Sequence, residues 1–393
     1  MDICRSYGLS FLMHVSLYIH FPFCLKKCLY CDFDSVAGSL VSPDEYVAAV
    51  VREMELRAGQ LAAPVSAPTL YFGGGTPSLM APQLVGRVID TAARLYGLDT
   101  DAEITIEANP GTVTAEKLAG YRAAGVNRLS LGVQALDDAL LQQLGRVHSV
   151  EESLAAYKAA RKAGFDNIGF DLIHSLPGQS LTIWEKALGE AIRLGPEHIS
   201  AYSLSVEEGT PFAAMFEAGV LNLPHEDEAT AMFEATRHLL ALHGYEHYEI
   251  SNFARPLFKS RHNQVYWRRG NYLGFGAGAH SFLREPGWGL RWVNPRNHTA
   301  YLAAMQQDQL QEEELQQLAR RDALAEAFFL GLRLLEGVDM QDAIEEFGPV
   351  VEEEYGGLIG ELEGKGLLMT SGRHIAIPQD KIIFANRIFS SFI

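Results

Sequence analysis

Six short runs rich in β-branched and aromatic residues recur through the first two thirds of this chain, each followed by a helical pattern. They begin at Ser16 (SLYIHF), Thr69 (TLYFGG), Glu103 (EITIEAN), Arg128 (RLSLGVQ), Asn167 (NIGFDLIHSL) and His198 (HISAYSLS). Helical stretches lie between them, among them Pro43 to Gln60, Pro82 to Tyr96 and Thr182 to Leu194. The runs read as near-continuous apolar strands, the pattern of a parallel sheet covered on its outer face. Six βα units fit either a doubly wound sheet or an incomplete barrel. Polar and glycine residues recur at the C-terminal ends of the strands, at Gly73 to Thr76, Glu107, Gln134, Asp171 and Ser205. Barrels build their sites around that rim, whereas an open sheet concentrates them at one switch point. The expected fold class is α/β, with a partial (β/α)6 barrel over residues 13–255.

From Tyr245 to about Thr299 the pattern changes to aromatic- and glycine-rich loops, including HNQVYWRRGNYLGFGAGAH. Residues 256–300 are read as a connecting segment. After Tyr301 come helices, strongly acidic between Glu312 and Glu363, then a hairpin-like GLLMTSGRHIAIP and a last helix. Residues 301–393 are thus expected to form a smaller helical, winged-helix-like domain. Such modules often bind DNA. A formal charge of −17 over 393 residues gives no counterion release on a polyanion, so nucleic acid is not an expected partner. The domain reads instead as a structural or partner-binding cap.

No apolar run approaches the roughly 20 residues of a membrane helix. The start, MDICRSYGLSFLMHVSLYIHF, imitates a signal peptide but lacks a small-residue cleavage site and runs into a cysteine cluster. It reads as a short tail before the first strand, with Met13 as an alternative start. Four cysteines, three of them crowded together, make a poor disulfide framework. They point to a reducing, cytoplasmic setting.

Those three are Cys24, Cys28 and Cys31, in CLKKCLYC directly after the first strand. Thiolates this close converge on a metal or a cluster rather than forming pairwise disulfides. A zinc site wants a second ligand pair, and no second cysteine pair exists here. His20 is the candidate fourth zinc ligand, although it sits within the predicted strand. Three thiolates on a four-iron cluster instead leave one iron free for a ligand. FGGGTP, at the end of the second run, is either a tight turn or a place where a ligand approaches the backbone. Glu107 in IEANP is either a solvated carboxylate or a ligand contact.

C-x3-C-x2-C after the first strand of a βα barrel resembles the radical S-adenosylmethionine (SAM) family. LYIHFPFC, GGGTPS, IEANP, LGVQ and DLIHSLPGQ resemble, in order and spacing, its branch of oxygen-independent coproporphyrinogen III oxidases and HemW haem chaperones. The resemblance implies a [4Fe-4S] cluster on Cys24, Cys28 and Cys31. It implies SAM contacts from Tyr18, Tyr30, Gly74, Gly75, Thr76 and Glu107. Gln134, Arg146 and Asp171 match positions that hold a second SAM or the methionine part of the site. The oxidases continue to a further cysteine where this chain reads Cys31-Asp32-Phe33, and they carry a longer N-terminal extension. CDF and HNQVYW resemble the chaperones instead. There the H-N-x-x-Y-W motif is associated with haem, which implies His262 as an iron ligand with Tyr266 and Trp267 packing on the macrocycle. From the residues alone, a single histidine in an aromatic loop is more often a hydrogen-bonded structural residue.

The function expected from the resemblance is a SAM-binding four-iron haem chaperone. The oxidase reaction, an oxidative decarboxylation in porphyrin biosynthesis, is the alternative, and a SAM-independent zinc adaptor is a third class. The implied partners are haem, haem-acceptor proteins and a reducing electron donor, with membranes contacted only through partners.

Overall fold

Six parallel strands form the centre of one sheet: β1 (Ser16–Phe21), β2 (Val65–Gly74), β3 (Leu98–Ala108), β4 (Arg128–Gln134), β5 (Ile168–His174) and β6 (His198–Ser203). The computed structural model describes residues 13–38, 41–61 and 63–393, so the tail before Met13, with Cys4, lies outside the described residues. β2 and β3 begin earlier than their sequence runs suggest, with Ala67 opposite Leu98 across the turn at Gly97. The helices between strands carry ordinary start signals. Ser42 caps Pro43–Ala58 by accepting the Glu45 amide, and Ser180 caps Leu181–Leu194.

The register separates two kinds of side chain. Leu17, Leu70, Phe72, Ile106, Leu131 and Phe170 are buried in one apolar core with helix residues such as Val88, Tyr157 and Leu188. Burying each such side chain contributes about 1.5–3 kcal/mol. The alternate residues are polar. Tyr18 lies opposite Tyr71, Glu107 opposite Ser130, and Asp171 opposite Ser200. The strands are therefore not uniformly apolar runs. They alternate, with an apolar face against the helices and a polar face inside the curve.

The segment after Tyr245 is not loops but sheet. Asn252–Ala254 pairs antiparallel with β6. Tyr272–Phe275 pairs parallel with β1, and His280–Leu283, Leu290–Val293 and Glu313–Gln317 follow in antiparallel order. Three- and four-residue strands punctuated by glycine are too short to show a period, which is why the sequence hides them. Among the described residues the two sheet edges do not pair, so the barrel is partial. Helix Arg261–Trp267 meets the middle of β3, where Glu103 accepts the Arg261 and His262 amides, each at 3.0 Å.

Glu53 ties the first helix to these late strands. Fully buried, it accepts from the Gly276 amide at 2.9 Å, Asn294 Nδ2 at 2.7 Å and the Tyr301 hydroxyl at 2.8 Å. Arg57 beside it pairs with Glu312 and lies over the Trp292 ring.

Residues 318–392 build a second core around Leu324, Phe328, Phe347, Tyr355 and Ile375. Helices Arg320–Gly331, Met340–Phe347 and Val350–Gly364 with a three-stranded sheet give a winged-helix-like arrangement. Arg269, buried between Glu326 and Glu346, and Arg333, 4.2 Å from the Trp267 ring centroid, join this unit to the barrel sheet. Among the described residues no helix is long and apolar enough to cross a membrane.

Glu53→Ala would strand three buried donors and remove one of the two carboxylates beside Arg57. It should destabilise the fold by about 3–5 kcal/mol in chemical denaturation. A loss under about 1 kcal/mol would show that the Glu53 network is not what joins the helix to the late strands.

Candidate functional site

The cysteine loop is pinned at three places. Its base is closed where Phe23 and Cys24 pair with Val36 and Ala37. Its middle is held by Leu29, whose amide donates to Leu144 O at 3.1 Å and whose carbonyl accepts the Phe212 amide at 3.0 Å. Leu29 and Tyr30 pack on a small apolar cluster of Leu140, Leu144, Ile173 and Phe212. Thiols would otherwise ride on a flexible turn.

Cys24, Cys28 and Cys31 all line one cavity of about 460 Å³, a size typical of small-molecule sites. Thr76 Oγ1 donates to Cys24 Sγ at 3.4 Å, and Arg146 Nη1 to Cys28 Sγ at 3.5 Å. Burial raises the Cys31 thiol above its usual range. Among the described residues no three His, Cys, Asp or Glu side chains converge closely enough to hold a single metal ion. His20 does not complete a zinc site either, because Asp34 O lies 2.9 Å from Nε2 and the Tyr18 hydroxyl 3.3 Å from Nδ1. Three thiols on one cavity wall, with His20 engaged elsewhere, fit a cluster that keeps one iron open.

The three glycines at the end of β2, Gly73 to Gly75, have a geometric explanation. A Cβ on Gly73 would lie 2.9 Å from the Tyr18 ring, and one on Gly74 2.8 Å from the His20 ring. One on Gly75 would lie 2.8 Å from Phe23 O and 3.0 Å from Cys24 Sγ. Each missing side chain makes room for β1 or the root of the cysteine loop. Gly74 and Gly75 also line the cavity, so the same absence brings bare backbone to its wall.

Below the thiols the cavity is polar. Glu107 accepts the Tyr71 hydroxyl at 2.8 Å. Its carboxyl is pushed up to about 7, first by burial and then by Asp171, against the Tyr71 hydrogen bond. Asp171 accepts Ser130 Oγ at 2.9 Å and Ser200 Oγ at 2.7 Å, and burial raises it too. Arg146 reaches Gly132 O at 2.9 Å, Gln134 takes a left-handed φ of 64°, and Tyr30 faces Arg146. Thr76, Gln134 and Tyr30 all line the wall.

Tyr18 and His262 do not line the wall. Tyr18 stacks beside Tyr71 and His262, with ring centroids 6.1 and 6.3 Å away. His262 is 1% exposed, with Nδ1 2.7 Å from Thr69 Oγ1 and Nε2 2.9 Å from the Tyr266 hydroxyl. Burial, then Arg128, pushes its protonation down to about 3, so the imidazole is neutral. Both nitrogens are engaged, and iron ligation would require breaking one of these bonds.

Sequence reasoning missed Tyr71, Arg128, Ser130, Ser200 and Asn263, all on the cavity wall. Stepping back by twos from Gly73 and Gln134 would have found three of them, Tyr71, Ser130 and Arg128.

The model of the Radical SAM superfamily matches residues 18–191, and that of the HemN C-terminal domain matches residues 318–380. The chain is 35% identical to the heme chaperone HemW of Bacillus subtilis, over 96% of this chain and 99% of that one. It is also 35% identical to the heme chaperone HemW of Escherichia coli, over 96% and 98%. A Danio rerio mitochondrial protein named for its radical S-adenosyl methionine domain is 32% identical, over 98% and 88%. Among solved structures, Escherichia coli coproporphyrinogen III oxidase, HemN, superposes with a TM-score of 0.84 at 24% identity, over 97% of this chain and 90% of that one. That likeness is one of fold.

The raised Glu107 carboxyl has a definite sign in stability. Folding favours its protonated form, so its contribution is full below about pH 4.5 and is lost as pH rises through about 7. Glu107→Gln should flatten the fall in melting temperature between those values. Parallel profiles for the two proteins would show that the carboxyl is not held as described.

Proposed function

Because the chain belongs to the HemW family within the radical SAM superfamily, we propose that it is a haem chaperone that binds a [4Fe-4S] cluster, SAM and haem and passes haem to acceptor proteins. The observation that carries the reading is the single cavity with three thiols at its mouth and bare glycine backbone on its wall, in a chain collinear with these relatives. Cys24, Cys28 and Cys31 would hold the cluster. Gly74, Gly75, Thr76 and Tyr30 line the space beside them, and Glu107, Gln134, Arg146 and Asp171 supply the polar contacts for SAM. Tyr18 supports that set from below, through Gly73. A bound cluster with SAM would supply one-electron chemistry, drawn from a reducing partner.

The chain's own residues set the conditions for this. Thr76 and Arg146 aim donor groups at two of the sulfurs, Cys24 Sγ and Cys28 Sγ. The mouth also suits haem, an apolar plate with carboxylate edges. Leu25 and Phe33 are 61% and 60% exposed, and Lys26 and Lys27 stand beside them on the same loop. His262 enters the reading as the axial ligand only if Nε2 is released from Tyr266.

Three measurements test this. Cys28→Ala should abolish four-iron absorption in anaerobically reconstituted protein; retention of about four irons per chain would overturn the cluster assignment. Tyr266→Phe, which frees Nε2, should tighten haem binding, while His262→Ala should remove the axial-ligand bands. Unchanged spectra in both would return His262 to a structural role. Reduced protein with excess SAM and coproporphyrinogen, without oxygen, should yield no vinyl product while binding haem stoichiometrically. Sustained turnover would make it an oxidase.

A further inference from the structure

Arg128 opens β4 at the floor of the barrel, 2% exposed, and its side chain lines the cavity. A buried guanidinium normally has all its donors met, yet Nε has no partner. The carboxylates that feel its charge, Glu103, Asp171 and Glu107, are committed elsewhere, Glu107 to the Tyr71 hydroxyl. Glu103 holds the two amides at the start of helix Arg261–Trp267, and Asp171 holds two serine hydroxyls. The strand opposite presents Gly169, where a Cβ would stand 3.5 Å from Arg128 Nη2 and 3.4 Å from His198 Nδ1, itself without a partner. Polar groups are thus arranged around a space that the protein's own atoms do not fill.

We propose that Arg128 is a carboxylate-binding residue at the floor of the cavity, with Asn263 of helix Arg261–Trp267 on the same wall. The assignment rests on the reading of this cavity as a site for SAM and haem. It is distinct from Arg146, which is bound to Gly132 O, four residues and about 13 Å further along β4 at the usual strand rise. The two guanidiniums serve different depths: Arg146 stands at the thiols and Arg128 below Glu107, since Thr105 pairs with Arg128 and Glu107 with Ser130. A ligand carboxylate here would supply the acceptors that Glu103 and Asp171 withhold. Two expected ligands carry one, the amino-acid end of SAM and the propionates of haem.

The test compares each ligand with its carboxylate-free counterpart in cluster-loaded protein: SAM with decarboxylated SAM, and haem with haem dimethyl ester. In Arg128→Gln, with iron content and melting temperature retained, one of the two affinity ratios should fall on the order of 10- to 100-fold. Loss in the SAM pair identifies the methionine carboxylate, and loss in the haem pair a propionate. Arg128→Lys keeps the charge but not the planar fork and should show a smaller fall in the same ratio, which secures the test if the glutamine variant does not fold. Normal wild-type binding with both ratios unchanged in a folded variant overturns the assignment alone. Wild-type protein that bound neither ligand would overturn it together with the functional reading.

Discussion

Alternate residues of the six central strands face opposite sides of the sheet, and here the two sides obey different rules. The outer side is apolar and sealed by helices. The inner side carries Tyr71, Glu107, Arg128, Ser130, Asp171 and Ser200 at consecutive inward positions of neighbouring strands. Such a set cannot be packed dry, because each group needs a partner or water. The interior is left as a cavity, and the residues around it hold one another through hydroxyls rather than through direct ion pairs. That arrangement lets Glu107 and Asp171 remain carboxyls of raised pKa beside a buried arginine.

The thiols depend on this frame at second hand. Their loop leaves β1, and β1 fits against β2 only because Gly73, Gly74 and Gly75 admit Tyr18, His20 and Cys24. The same β1 is fixed from its other side by Tyr46, whose hydroxyl donates to His20 O at 2.9 Å and accepts the Ala277 amide at 2.8 Å. Late segments of the chain therefore hold its earliest functional loop in place.

What could be read from the sequence was what is local. The cysteine spacing, the glycine run and the polar residues Glu107, Gln134 and Asp171 announced themselves without reference to distant contacts, although Asp171 sits in the middle of β5 and not at its end. The inward residues lower in the barrel did not, because runs such as RLSLGVQ read as apolar when their polar members sit singly between larger neighbours. His262 shows another limit: the motif is visible, but its burial between Thr69 and Tyr266 depends on chain brought together from nearly 200 positions away. The strands after Tyr245 were lost for want of length. The acidic stretch near Glu312 was read as helix although it adds a strand to the sheet.

That added strand, Glu313–Gln317, closes the described sheet order and is exposed along its whole length. An open edge of this kind presents unpaired backbone to any passing chain, and is the usual route to edge-to-edge aggregation. Here a visiting strand would have to lie alongside Glu313 and Glu314, with Glu312 next to them, and strip water from their carboxylates. The run LQEEELQQ thus protects solubility at this end of the sheet.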